Sequence, residues 1–392
     1  MAWDKKILLA YITSITFMVF SGRLLVPTLS GNIEDSLSIS HAEIGLGMTL
    51  LWLFYGLMQF PSGILSDEKG GKPVANFGIF IFASAFLLMS ITYSYFTFLI
   101  ALIMMGIGFG CFTTVSLKMI SNRFTKKRDK ILGVISVMAS LAGVTPIFTL
   151  PFADKFVWRA LIFIWAIISF IIGIFFFRNV VERNKETQTK QDGVQNGVKI
   201  FKERNVISLL AVNTIMSFCW FGIISFLPIY LMEGKGINEV AAGIIFSLIF
   251  FSGIIIRPII GHLSDYYNKK ALMIILMFLS ALSFFLLTQA TNVYFAAIGA
   301  ILAATVTAFY PLRSAYLMNK WPSKSHGSRM GMYATIVIII SSLSPVIVGY
   351  SVEFTDFHTI FLAFSFVILL AAFIAFFIKY FYPFAQTKIS KC

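Results

Sequence analysis

Three arginines, Arg23, Arg257 and Arg313, lie in the interior of long apolar stretches of this chain. None of the seventeen acidic residues lies in the interior of such a stretch. An ionised side chain in the middle of a bilayer costs from about 3 to over 10 kcal/mol, so such a residue usually faces a polar cavity. A guanidinium group offers planar, paired donors to carboxylate or phosphate. The sequence therefore predicts a positively charged cavity that binds a small anion.

The depth of each arginine along its helix predicts where its side chain extends. Side chains lean toward the N-terminus of a helix, which directs Arg23 and Arg257 toward the middle of the membrane. Arg313 lies nearer the cytosolic end of its helix, where extension to the membrane interface is favoured over the cavity. We nevertheless include Arg313 among the candidate ligands. For Arg23 and Arg257 the alternative is a structural role, in which they pair with backbone carbonyls or with each other's helices.

Polar and aromatic side chains at helical spacing add four candidate ligands. Tyr55 and Gln59 share one face of their helix, and Asn213 and Trp220 lie on a polar stripe of another. Residues at such spacing also serve in packing, so that alternative remains open for each of them.

The composition requires a membrane to surround these residues. The apolar fraction is 58% and the charged fraction 12%, against roughly 45–50% and 25% in soluble domains. A helix needs about 20 apolar residues to cross a bilayer. Twelve stretches satisfy this: 7–28, 43–65, 73–92, 97–119, 131–152, 158–178, 205–231, 240–263, 271–289, 293–318, 330–351 and 359–381. The fold class predicted is an all-α polytopic membrane protein.

The net charge of +14 follows the membrane. When both termini are placed in the cytosol, most basic residues fall in cytosolic loops, as the positive-inside rule requires. We therefore predict cytosolic termini and no nucleic-acid partner. The polar stretch 179–204 has the composition of a solvated linker, so the predicted units are 1–178, 179–204 and 205–392.

A repeated motif relates the two predicted halves. Gly63-Ile-Leu-Ser-Asp67-Glu-Lys-Gly-Gly-Lys72 recurs 198 residues later as Gly261-His-Leu-Ser-Asp265-Tyr-Tyr-Asn-Lys269-Lys. A self-similar spacing of this length indicates a duplicated unit. The same offset pairs Gln59 with Arg257, which is why Gln59 is a candidate. Pro146 pairs with Pro345 at an offset of 199.

Twelve spans in two halves, with this motif after spans 2 and 8, resemble the major facilitator superfamily. The resemblance implies secondary transport by alternating access, in which two six-helix halves rock about a central site. It also implies a gating role for the motif residues Gly63, Asp67, Lys72, Gly261, Asp265 and Lys269. Physically, Gly63 would let helix ends approach closely, and the aspartates would pair with cationic loops. The alternative is that the motif fixes only topology and tight turns.

The expected function is therefore transport of a small anionic, organic acid-like solute across the plasma membrane. Two alternatives remain open: efflux of hydrophobic or cationic compounds, favoured by an aromatic content of 16%, and a sensor or scaffold that transports nothing. The acid-free spans favour exchange or facilitated transport, with a coupling proton possible through Glu34, Asp35 or His262. No motif of a catalytic, metal or cofactor site is found, so we expect no enzyme and no cofactor. The remaining partners expected are the lipid bilayer and a counter-anion, and the chain is expected to be a monomer.

Overall fold

A computed structural model describes residues 2–124, 128–152, 157–180, 200, 203–321 and 326–377. Within these ranges every regular element is helical. Twelve helices are long and apolar enough to cross a membrane, which confirms the twelve predicted spans: 5–28, 41–66, 71–90, 95–120, 131–152, 158–179, 204–234, 239–266, 269–289, 293–318, 329–352 and 357–376. The side of the membrane on which the termini lie remains a prediction. "Outer end" below means the end of the bundle that the sequence predicts to be extracellular.

Fifteen α-helices make up the described bundle. They are α1 (Ala2–Thr28), α2 (Ser30–Leu37), α3 (His41–Lys69), α4 (Gly71–Ser90), α5 (Tyr95–Arg123), α6 (Arg128–Leu141), α7 (Thr145–Thr149), α8 (Val157–Asn179), α9 (Arg204–Ile229), α10 (Glu239–Tyr266), α11 (Lys269–Gln289), α12 (Val293–Lys320), α13 (His326–Ser341), α14 (Ser344–Val352) and α15 (Phe357–Phe377). A π-helical turn, Tyr230–Gly234, extends α9. Most of the predicted linker 179–204 lies outside the described residues.

Two spans are broken at matching places by proline. The span that begins with α6 passes through a 3₁₀ turn and restarts as α7, with Pro146 in its first turn. The span that begins with α13 restarts as α14, with Pro345 in its first turn. Proline lacks an N–H and is tolerated at the first turn of a helix, where no intrahelical partner is available. The two breaks therefore repeat at the offset that the sequence predicts.

Each break packs against a glycine from the other side of the linker. A Cβ on Gly45 of α3 would collide with the Pro345 carbonyl oxygen, and one on Gly243 of α10 would lie 2.9 Å from the Pro146 carbonyl oxygen. Gly45 and Gly243 are 243 − 45 = 198 residues apart, which is the offset of the repeated motif. Small residues allow this close approach of helices in a membrane. We call these two crossings the outer seal.

Further contacts strengthen the outer seal on the α3 side. The Val346 N–H of α14 donates a hydrogen bond to Thr49 Oγ1 of α3 at 3.1 Å. One turn away, a Cβ on Gly349 would collide with the backbone of His41. The bundle is therefore closed at its outer end by backbone-to-backbone contact.

Two helices lie at the periphery of the bundle and face outward with apolar side chains. Ile171 and Phe175 of α8 are exposed, as are Phe366 and Phe373 of α15. Exposed apolar side chains along a full helix face are normal where lipid is the solvent. These faces support a bilayer around the bundle.

The repeated motif lies at the end of the bundle opposite the outer seal. Ser66 Oγ receives a hydrogen bond from Lys118 Nζ at 3.0 Å, and Lys269 Nζ donates to the Ser264 carbonyl at 2.7 Å. Lys72 lies 5.1 Å from the Phe177 ring. Asp265 is exposed, and the Asp67 side chain lies outside the described part of the structure.

The close approach predicted at Gly63 is not found. A Cβ there would meet Thr114 at 3.7 Å, which is ordinary contact, and one on Gly261 would meet nothing within 4 Å. The glycine that the first copy does require is Gly70, whose φ of 89° lies between α3 and α4. Close helix approaches occur elsewhere, at the outer seal and between α3 and α5, where a Cβ on Gly106 would collide with the Leu51 carbonyl oxygen.

Substitutions of the seal glycines test the outer seal. Gly45→Ala and Gly243→Ala place a methyl group against a carbonyl oxygen, and overpacking of this kind costs about 1–3 kcal/mol. We expect both variants to lower the thermal unfolding temperature, and Gly45→Ala to lower it more.

Gly133→Ala and Gly331→Ala are the matched controls, because a Cβ at either position meets nothing within 4 Å. Alanine favours a helix over glycine by about 1 kcal/mol, so the controls should be neutral or stabilising. Equal unfolding temperatures for seal and control variants would contradict the close packing.

Candidate substrate-binding cavity

A cavity of about 280 Å³ lies in the centre of the bundle, below the outer seal. Its wall is built by α1, α3 and α6 from before the linker and by α9, α10, α12 and α13 from after it. The lining residues are Phe20, Arg23, Trp52, Tyr55, Ala139, Asn213, Ser217, Trp220, Phe221, Phe250, Arg257, Thr307, Tyr310, Arg313, Ala334, Val337 and Ile338. The structure thus brings together all three arginines that the sequence singles out.

Arg23 is surrounded by aromatic rings. Its guanidinium carbon lies 4.7 Å from the centre of the Phe20 ring, 4.9 Å from Trp52 and 5.4 Å from Phe109. Such cation–π contacts offset desolvation by about 0.5–2 kcal/mol each. The Arg23 Nε is buried and has no hydrogen-bond partner within the described residues. Arg23 is therefore held in place by ring faces, and its buried Nε is left without an acceptor among the described residues.

Arg257 joins helices from opposite sides of the linker. Its Nη1 donates to Ser140 Oγ at 2.9 Å and to Ser136 Oγ at 3.3 Å, both on α6. Its Nε donates to Thr307 Oγ1 of α12 at 3.2 Å. Ser140 is buried whereas Ser136 is exposed. The bridge between α6 and α10 is therefore more open on the side away from the outer seal.

Arg313 lies in the cavity wall and does not extend to the interface. Its side chain is 9% exposed, and its guanidinium carbon lies 4.9 Å from the centre of the Tyr333 ring of α13. Its Nη2 donates to Ser314 Oγ at 3.0 Å, whereas its Nε has no partner among the described residues. The orientation that the sequence favours for Arg313 is wrong because the aromatic face of α13 holds the side chain inside the bundle.

Three of the four other candidates line the cavity. Tyr55 stacks on Phe109 with ring centres 4.1 Å apart. Asn213 is fully buried, and neither of its amide atoms has a hydrogen-bond partner in the described part of the chain. Trp220 also contributes to the wall, but Gln59 does not. Gln59 lies one helical turn after Tyr55 on α3 and is not part of the cavity wall.

Several wall residues are not singled out by the sequence analysis. Trp52 stacks on Phe221 with ring centres 4.2 Å apart, which joins α3 to α9. Tyr310 receives a hydrogen bond from Ser217 Oγ at 3.4 Å. Phe20 and Tyr310 each precede a cavity arginine by three residues, and this spacing could have identified them. Ser136 and Ser140 form a polar pair at i and i+4 in an apolar span, which is a similar signal.

The charged residues in the described wall of the cavity all carry the same sign. Three of its described lining residues are cationic and none is acidic. The positive charge of Arg257 acts unfavourably on Arg23. Charges of one sign inside a low-dielectric wall attract the opposite ion strongly. The wall therefore combines aromatic faces, hydroxyl groups and free guanidinium donors, which suits a solute with an anionic group and a polar or ring-shaped body.

Comparison with known proteins gives the family. The family model of the Major Facilitator Superfamily matches residues 11–270 and 209–389. The chain belongs to this superfamily, which confirms the resemblance in the sequence. With twelve candidate spans among its described residues it is a multi-pass membrane protein, and in bacteria such a protein lies in the plasma membrane.

Relatives of known type fall into two groups. The chain is 24% identical to a hexuronate transporter of Bacillus subtilis over 61% of its own length and 59% of the relative. It is 21% identical to a probable L-galactonate transporter of Escherichia coli over 66% and 63%. It is 28% identical to the multi-drug resistance efflux pump PmrA of Streptococcus pneumoniae over 43% and 46%. The matches thus span at most about two thirds of the relatives' lengths.

Solved structures share the fold. The crystal structure of the nucleoside transporter NupG superposes with a TM-score of 0.77 at 15% identity, covering 94% of this chain and 98% of the other. A bacterial homologue of the human lysosomal transporter Spinster superposes with a TM-score of 0.76 at 14% identity, covering 95% and 96%. These similarities confirm a twelve-helix transporter fold.

Collisional quenching of tryptophan tests the positive cavity without knowledge of the substrate. Trp52 and Trp220 line the cavity, so the other tryptophans are replaced by phenylalanine: Trp3, Trp158, Trp165 and Trp321. At matched ionic strength, iodide should quench the remaining fluorescence more than caesium does, because the arginines attract the anion.

The double variant Arg23→Gln/Arg313→Gln should remove the preference for iodide. Arg178→Gln, at an exposed arginine near the end of α8, should retain it. Equal quenching by the two ions in the unsubstituted cavity would refute its positive character.

Proposed function

We propose that this protein transports a small organic anion, such as a sugar acid, by alternating access. The observation that supports this most strongly is the cavity with three arginines and no acidic residue in its described wall. Buried charges require a compensating partner, and a carboxylate satisfies a guanidinium with two parallel hydrogen bonds. We assign no enzymatic activity. The relatives include a hexuronate transporter and a probable L-galactonate transporter, and an anionic sugar acid agrees with both.

The size of the cavity supports a small solute. Pockets for drug-sized ligands have volumes of about 300–1,000 Å³, and this cavity of about 280 Å³ lies below that range. Asn213, Ser217 and Tyr310 offer hydrogen bonds for hydroxyl groups on the body of the solute. Trp52 and Trp220 offer ring faces for its apolar surface.

Two arginines are better placed than the third to bind the anion. Arg23 and Arg313 each retain an unpartnered buried Nε. Arg257 already donates to Ser136, Ser140 and Thr307. We therefore assign anion binding first to Arg23 and Arg313. Arg257 adds positive charge and joins α10 to α6, so a solute that engages it competes with the serines.

The contacts at the two ends of the bundle differ, and this difference supports alternating access. The outer seal closes one end by backbone contact, while the bridge at Arg257 is open on the other side at Ser136. We propose that this conformation faces the cytosol, with cytosolic termini. The contacts Lys118–Ser66 and Lys269–Ser264 each lie within one half, so they would hold the helix ends at the motif together while the halves rock.

Counterflow in proteoliposomes tests the substrate class. Vesicles preloaded with an unlabelled hexuronate should accumulate labelled hexuronate, whereas preloading with the neutral parent hexose should give no accumulation. Arg23→Gln and Arg313→Gln should each lower kcat/KM by at least about tenfold, because loss of one partner of a buried charged hydrogen bond costs about 2–5 kcal/mol.

Arg178→Gln is the matched control, since it removes the same charge outside the cavity and should transport as the wild type does. Wild-type rates for both cavity variants would exclude the assigned site. Counterflow of the neutral hexose at the same rate would exclude an anionic substrate class.

Drug efflux is the second candidate, because aromatic side chains line much of the cavity and PmrA is among the relatives. It predicts that expression raises tolerance to cationic drugs in an efflux-deficient host. Neutralising Arg23 should then increase this tolerance, because the positive charge repels a cationic drug. Under anion transport, tolerance stays unchanged in both the wild type and the variant.

A further inference from the structure

A histidine lies between two carboxylates at the outer end, outside the cavity. His41 Nδ1 is 2.9 Å from Glu34 Oε1, and His41 Nε2 is 3.7 Å from Glu233 Oε2. Glu34 and His41 precede the linker, whereas Glu233 follows it in the π-helical turn after α9. The three side chains therefore form a bridge across the same interface that the outer seal closes.

The surroundings hold the imidazole ring in this position. The ring packs against Phe357 and Phe226, with ring centres 5.3 and 6.4 Å away. The His41 backbone lies against Gly349 of α14. Glu34 is buried, with 9% of its surface exposed. Glu34 and His41 lie on the same side of the linker, so the contact of Nε2 with Glu233 is the one that crosses to the other side.

This geometry favours one protonation state of the ring. A neutral imidazole carries one N–H and one acceptor nitrogen, whereas the imidazolium ion donates from both. With a carboxylate facing each nitrogen, a neutral ring would set an acceptor lone pair against one of them. The imidazolium ion donates a hydrogen bond to Glu34 and, at 3.7 Å, makes an ion contact with Glu233 that is longer than a hydrogen bond. The closed bridge therefore favours a protonated ring more than water does.

The neighbouring charges favour that proton. Burial raises the pKa of the Glu34 carboxyl, while its hydrogen bond to His41 acts in the opposite direction. The groups that face the bridge from the packed elements are Glu34 and Asp35 of α2, Tyr230, Glu233 and Lys235 after α9, Glu353 after α14, and Asp356 and His358 at the start of α15. Acids outnumber the single lysine among them, so the local field favours an added positive charge.

We propose that Glu34, His41 and Glu233 form a proton-binding site that is assembled only when the outer end is closed. Closing takes up one proton from the external solution onto His41, and opening separates Glu233 and returns it. By linkage, closure is favoured at low external pH and loses this contribution as the pH rises through the value at which the closed bridge releases its proton. The proposal does not depend on which solute the cavity binds.

Distance measurement between the two sides of the outer end tests this site without any substrate. Spin labels are attached to Ser36→Cys and Phe354→Cys in a variant whose native cysteines are replaced: Cys111, Cys219 and Cys392. In lipid nanodiscs, the fraction with the short, closed distance should rise as the pH is lowered from 8 to 5. A difference of one pKa unit between closed and open states changes the closed-to-open ratio by about tenfold.

Three variants separate the bridge from general pH effects. His41→Gln keeps one donor but does not titrate, so its closed fraction should be independent of pH. Glu233→Gln, at a half-exposed side chain, should weaken the response without disturbing the core. His358→Gln removes another imidazole that lines the same pocket at the outer end as His41 and Glu233, and this variant should respond to pH as the wild type does.

A closed fraction that is independent of pH in the wild type would overturn the proposal. So would a response that persists in both His41→Gln and Glu233→Gln, or one that His358→Gln abolishes. Since no solute is added, a failed transport assay and a failed proton site give separate results.

Discussion

Burial of three guanidinium groups without a carboxylate among the described lining residues is the constraint on which the rest of the structure depends. The protein compensates each charge differently. Arg23 lies against three aromatic rings, Arg313 against one ring and a hydroxyl group, and Arg257 against three hydroxyl groups. Neutral partners of this kind hold a cation in place and leave its net charge uncompensated. The arginines are therefore packed in place, but their positive charge has no negative partner among the described lining residues. Under this condition an anion binds strongly.

The same compensation determines how the helices are arranged. Trp52 contacts Arg23 and also stacks on Phe221, so the ring that stabilises the charge also joins α3 to α9. Arg257 similarly joins α10 to α6 through Ser140. At the cavity, these two contacts between the sides of the linker are aromatic and polar. At the outer seal, glycines pack against proline carbonyl groups, and the Val346 N–H donates to Thr49 Oγ1. Opening the seal exposes backbone groups, whereas opening the cavity exchanges hydroxyl groups for solute or water.

The sequence predicts the twelve spans and the residues whose charge contrasts with an apolar surrounding. Arg23 and Arg257 are identifiable because an arginine stands out in such a helix. The aromatic wall is not, because 16% of the chain is aromatic and Trp52 or Phe109 has no contrast with its neighbours. The direction of Arg313 depends on Tyr333, which belongs to another helix, so depth along α12 alone gives the wrong orientation. Likewise, the repeat pairs Pro146 with Pro345, but the crosswise packing of Gly45 and Gly243 requires the tertiary arrangement.

A solute can drive a change of conformation only as far as it binds the two states differently. In the proposed mechanism, Arg257 supplies that difference. In this conformation its Nη1 is committed to Ser136 and Ser140, so a solute that accepts from Nη1 must weaken the bridge to α6. The contacts of Arg23 and Arg313 lie on their own sides of the linker, so a solute that binds them breaks no bridge between the two sides. In this proposal, the contact of His41 with Glu233 depends on a proton, and the contact of Arg257 with Ser136 and Ser140 depends on the solute. The two ends of the cavity therefore respond to different ligands. Transport then requires neither contact to be strong, because loss of the proton weakens the His41 contact and binding of the solute weakens the Arg257 contact.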